Sequence, residues 1–303
     1  MSNHSKFIAC AALVAAAAPL AISAYSLSTP SMPVDTPPAT ITLAGTVRDF
    51  KENGVTGGHP DFEITPAGGF AHYCDNVNPV LPADKKPVFK GGGFRVKTEW
   101  TNSAGKPICW RLYNSSLGDH IGAKYSGTDS GGIQNAASYA KWYKDTVGTN
   151  VSGALSLTLT RQSNGSYIFD SQTDPACVAL GGFFPIERQL FGNPGGSPDR
   201  NFHFTYELHT KFTYKASDNQ NFNFRGDDDV WVFINNQLVI DIGGIHGAVE
   251  QEVSLNRLGL VDGQTYDLDF FFAERHRTQS NFKITTNLQL TTASVPTVSN
   301  TFD

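Results

Sequence analysis

The chain has 303 residues, enough for one large or two ordinary domains with a sizeable core, and its 29 Gly, 21 Phe and 10 Tyr against 2 Met favour short strands and turns over helices. A net charge of −5 with no Lys/Arg cluster excludes an electrostatic footprint for nucleic acid. The weak acidic excess is compatible with cation binding without arguing for it.

A short polar start with Lys6 precedes an apolar, Ala-rich run over residues 7–24, which reads as a signal peptide (1–24) cleaved before Tyr25. The competing reading is a membrane anchor, but Pro19 interrupts the run and a spanning helix needs about 20 strongly apolar residues. Cleavage leaves no integral membrane span and implies a secreted protein, at the cell surface or in a matrix. In that oxidising setting Cys74, Cys109 and Cys177 are expected to give one intramolecular disulfide, taken as Cys74–Cys109, and one leftover thiol.

Residues 25–43 are rich in Ser, Thr and Pro and read as an extended linker. A first alternating strand is expected from Ile41 to Phe50, and short strands at 94–101 and 108–113 in a Gly-rich region. The run AASYAKWYKD at 136–145 is the one convincing helix, with Tyr139, Trp142 and Tyr143 on one face, placed as core. Residues 154–160 and 167–169 flank Ser163-Asn164-Gly165 as a hairpin. Residues 201–214 alternate: Phe204, Tyr206, Leu208, Phe212 and Tyr214 face one way, and His203, Thr205, Glu207, His209 and Lys211 face a solvated or half-covered side.

The most informative stretch is RGDDDVWVFINNQLVIDIGGIH, residues 225–246. Two apolar runs, 230–234 and 238–242, flank Asn235-Asn236-Gln237 as a β-hairpin, with Asp227, Asp228 and Asp229 at the mouth of its first strand. Neighbouring like charges cost on the order of 1 kcal/mol per pair at about 4 Å in water, and more when partly desolvated. Either the run is a solvated turn or it holds a cation. Ca²⁺ takes six to eight oxygen ligands, and Asn235, Asn236 and Asp241 are nearby candidates. Two more strands, 265–273 and 281–290, are joined by a polar loop at 274–280 that either completes the Asp site or is an ordinary connection. Residues 291–303 read as a disordered tail.

Several motifs resemble the fibro-slime domain: HPDFE at 59–63, KWYKDTVGTN at 141–150, GGFFPI at 181–186, NFHFTYELHTKFTY at 201–214, FRGDDDVWVFINNQLVIDIGGIHG at 224–247 and FFAERHRTQSNFKI at 271–284. The resemblance places the domain at 44–290 and implies an all-β fold, an antiparallel β-sandwich of the protective-antigen, lectin-like type with one short helix and long Gly-rich loops. It further implies a Ca²⁺ site in which two consecutive Asp joined by a cis peptide bond chelate the ion. Asp227-Asp228 fits that pair, Asp229 stands where relatives often carry Gly, and the late ligand falls at Asn281 or within 274–280. The expected metal set is therefore Asp227, Asp228, Asn235, Asn236 and Asn281, with Glu274, Arg275, His276 and Asp241 toward the ligand.

The expected function is non-catalytic, calcium-dependent binding of a glycan or extracellular polysaccharide. A structural matrix or filament subunit with self-association is the alternative. A glycoside hydrolase ranks third, because no carboxyl pair spaced for acid and base is marked.

Overall fold

The computed structural model describes Met1 and residues 36–292. The expected signal peptide beyond Met1, residues 25–35 of the linker and residues 293–303 of the tail lie outside the described residues.

Among the described residues, fourteen strands and two short α-helices follow one another: β1 (Thr40–Phe50), β2 (Tyr73–Cys74), β3 (Phe94–Thr98), β4 (Ala123–Lys124), α1 (Ala136–Tyr139), β5 (Asn150–Arg161), β6 (Tyr167–Asp170), α2 (Pro175–Leu180), β7 (Phe204–Thr213), β8 (Asn221–Gly226), β9 (Asp229–Ile234), β10 (Gln237–Ile242), β11 (Val249–Ser254), β12 (Thr265–Glu274), β13 (Phe282–Thr286) and β14 (Thr291–Thr292). The large sheet runs β10-β9-β12-β7-β1-β5-β6-β13-β8-β11, with β14 beside β7, and every pairing is antiparallel. A second sheet, β2-β3-β4, lies in the Gly-rich region.

The large sheet folds over itself into a sandwich, because apolar residues at alternate positions must meet a second apolar face. Phe270 and Phe272 of β12 meet Phe224 of β8 at 5.6 and 6.3 Å and Phe282 of β13 at 5.6 and 5.1 Å. Phe271, between them, points the other way into a second core, where Tyr143 lies 5.0 Å away. β9 divides likewise, with Val230, Val232 and Ile234 in the first core and Trp231 and Phe233 in the second. Burial on both faces explains why its sequence is a continuous apolar run.

The second core corrects one expectation. Thr205 and Glu207, placed on a solvated or half-covered face, are buried. The segment after α1 lies over them, and Thr205 Oγ1 donates to the Trp142 carbonyl at 2.6 Å. The same segment shows why the helix stops at Tyr139 and not at Asp145. Asn150 Nδ2 takes the carbonyls of Lys141 and Lys144 at 3.0 and 2.9 Å, and Trp142 Nε1 donates to Asp61 at 3.0 Å. Tyr139, Trp142 and Tyr143 are core, as expected.

Residues 110–112 form a 3₁₀ turn where a strand was expected. Among the described residues Cys74, Cys109 and Cys177 are all free and buried, so the expected Cys74–Cys109 bridge is not formed; Cys74 Sγ lies 3.3 Å from both the Asp241 carbonyl and His72 Nε2. Among the described residues, no helix is long and apolar enough to cross a membrane.

Candidate functional site

Three connections meet at one end of the sandwich: Asp227-Asp228 between β8 and β9, residues 275–281 between β12 and β13, and residues 243–248 between β10 and β11. Their approach is close enough to require glycine. A Cβ on Gly226 would sit 2.3 Å from the Asn281 carbonyl oxygen, and one on Gly244, whose φ is +93°, would sit 2.3 Å from the Tyr73 ring.

The Asp227-Asp228 peptide bond is cis, as the resemblance implied. Asp227 accepts from the backbone N–H of Asn281 and, at 2.8 Å, from its Nδ2. Asp228 accepts from the backbone N–H groups of His246 and Arg275 at 3.0 and 3.1 Å. Glu274, the last residue of β12, is fully buried; the Ser280 hydroxyl spends its proton on the Phe183 carbonyl at 2.7 Å, and Glu274 Oε2 has no donor. Burial pushes the carboxyls of Asp227, Asp228 and Glu274 above their usual range, and the charge of Asp227 adds to the rise at the other two.

The neighbouring cation is spoken for. Arg275 donates Nε to Asp229 at 2.5 Å, Nη1 to the Asp61 carbonyl at 3.2 Å and Nη2 to the Gly131 carbonyl at 2.8 Å, and its guanidinium lies 4.9 Å above the Trp142 ring. Burial, opposed by that guanidinium, leaves Asp229 at about 6. Three acids therefore share a buried space, and the buried guanidinium of Arg275 is committed to Asp229. This donor set fits a hard divalent cation. The carboxylates of Asp227, Asp228 and Glu274 are not gathered as closely as Glu52, Glu63 and His203, whose ligand-type atoms lie within 4.8 Å of one another. That second group already holds a cation, since Arg277 pairs with Glu52.

The structure brings Asn281, Glu274, Asp227 and Asp228 together and separates the other expected residues from them. Asn235 and Asn236 form the β9–β10 turn with φ of 51° and 62°, at the far end of the six-residue β9 and so roughly 20 Å away. Asn236 Oδ1 accepts from Lys85 Nζ at 2.6 Å. Asp241 points into the β2 region, where Oδ2 accepts from the Asp75 N–H at 2.8 Å and from Trp110 Nε1 at 3.2 Å. Arg275, expected to touch ligand, is sealed in the interior. His276 stays at the surface, 3.0 Å from Glu63 and 4.7 Å from the exposed Phe70 ring. His246, whose backbone N–H holds Asp228, was missed, and no local pattern marks it.

Curated relatives include protein psiC of Dictyostelium discoideum, 32% identical over 77% of this chain and 39% of psiC, and protein psiR of the same organism, 42% identical over 52% of this chain and 16% of psiR. The chain thus spans less than two fifths of the length of these relatives. A solved PA14 sugar-binding domain from an RTX adhesin is 16% identical with a TM-score of 0.22, over 31% of this chain and 51% of that one. Residues 193–301 match the PA14 domain model, and this stretch holds Asp227, Asp228, Glu274 and Asn281.

Proposed function

We propose that the chain is a secreted, non-catalytic carbohydrate-binding module of the fibro-slime type that takes up a glycan or extracellular polysaccharide through a bound Ca²⁺. One observation carries the reading: Asp227, Asp228 and Glu274 are buried together, Glu274 Oε2 has no donor, and Arg275 is committed to Asp229. Asp227, Asp228, Glu274 and the Asn281 side chain would hold the ion. When bound, Ca²⁺ supplies open coordination positions that sugar hydroxyls can fill. Around it, the N–H groups of His246, Arg275 and Asn281 orient the carboxylates.

A hydrolase needs two carboxyls flanking a cleft. Here Asp227, Asp228 and Glu274 are buried in the interior and not exposed on the walls of a cleft, which favours binding over catalysis. The test is a glycan array probed with the full chain in calcium and again in chelator. Binding to a set of glycans that disappears with chelator, and in Asp228→Asn, supports the proposal. Equal binding in both conditions, or none with concentration-dependent self-association, refutes it.

A further inference from the structure

At the other end of β9 lies a cleft of ≈ 390 Å³, within the range of small-ligand sites. It opens between the β9–β10 turn, the 3₁₀ turn at 110–112 and the segment from Arg257 to Leu260. Its floor is apolar: Leu238 is buried and Leu258 half-buried.

Its walls carry two arginines fixed by acids. Arg257 places Nη1 and Nη2 on the two Asp119 oxygens, each at 2.7 Å. Arg111 pairs through Nη2 with Asp75 and lies 4.5 Å from the Trp110 ring, leaving its buried Nε without a partner. Arg257 is thus neutralised, and Arg111 shares the Asp75 carboxylate with Lys90, whose Nζ lies 2.7 Å from the same oxygen, so both guanidiniums are held in place and already engaged by carboxylates. Over them the exposed side-chain amides of Asn235 and Gln237 have no hydrogen-bond partner among the described residues. An amide both donates and accepts, as a hydroxyl does, whereas a phosphate or carboxylate uses donors alone and gains most from an unpaired cation.

We infer that this cleft is a second saccharide site, one that takes a neutral hexose unit without calcium. The ring's C–H face rests on Leu238 and Leu258, and its hydroxyls meet the Asn235 and Gln237 amides. The inference goes beyond the calcium-dependent reading and does not depend on it. Two sites at opposite ends of the sandwich let one molecule bridge two polysaccharide chains.

The test is saturation-transfer NMR on the full chain in EDTA, with millimolar glucose, galactose, mannose and N-acetylglucosamine as probes. At least one should receive saturation from the wild type. Its affinity should fall about tenfold in Gln237→Trp, which plugs the mouth from an exposed turn, and in Asn235→Gly, which keeps the left-handed backbone while removing the amide. No transfer to any hexose from chelated wild type, or transfer unchanged in both cleft variants with wild-type melting curves, would overturn the inference.

Discussion

Arg275 Nε and Asp229 Oδ2 form an ion pair, 2.5 Å apart, in which neither side chain is exposed to solvent. The pair sits one residue past Asp228 on one side and one past Glu274 on the other. It removes the nearest guanidinium from the acids that are left without a cation.

Breaking this pair strands a charge inside the protein, which costs about 3–5 kcal/mol. Arg275→Met should therefore lower stability by that order, and Asp229→Asn in the same chain should recover part of it. Urea unfolding of the single and double variants measures both. A loss of under about 1 kcal/mol in Arg275→Met would show the pair to be dispensable.

Glu207 gives an acid-stability prediction. Burial raises its pKa, but His209, Arg48 at 2.8 Å and Lys86 at 2.5 Å outweigh that and hold it at about 2, below its ordinary 4.5. A depressed carboxyl stabilises the fold fully above the unfolded value, and the contribution is lost as pH falls from about 4.5 to about 2. Its size is about 3 kcal/mol. Glu207→Gln should be less stable at pH 7 and show a flatter stability profile across that window, as read by melting temperature. A profile parallel to the wild type would assign the acid loss to other groups.

The acids at the candidate calcium site act with the opposite sign. Burial raises Asp227, Asp228 and Glu274. Without metal, their protonated forms stabilise the fold at acid pH, and that contribution is lost as pH rises through the elevated folded values. Calcium displaces those protons, so the gap in melting temperature between calcium and chelator should widen from pH 5 to pH 8. A gap that is constant or shrinks over this range contradicts the assignment.

The β9–β10 hairpin was legible because turn chemistry is local: two asparagines between apolar runs accept the left-handed backbone of a two-residue turn. α2 was equally readable yet overlooked, since Asp174 caps it, Pro175 opens it and Gly181 closes it with φ of 80°. Asn235 and Asn236 lie close to the Asp run in sequence but not in space, because an extended strand carries them away. Arg275 looked like a surface residue because a charged loop is exposed by default. Its partners Asp229 and Asp61 lie 46 and 214 positions away, and nothing near Arg275 in sequence announces them. The fold of residues 64–135 was hidden for the same reason. Contacts such as His72 to Glu99 at 2.8 Å and His72 to the Asp241 carbonyl at 2.9 Å hold it, not a period of its own.

Calorimetric titration of calcium into the metal-free full chain tests the central claim most directly. The account predicts one saturable site in the wild type, abolished or strongly weakened in Asp228→Asn and Glu274→Gln and retained in Asn236→Ala. Calcium at about 100 times its Kd should then add roughly 2.7 kcal/mol to stability. No calcium uptake by folded wild type, or uptake untouched by both acid-site substitutions, would contradict it.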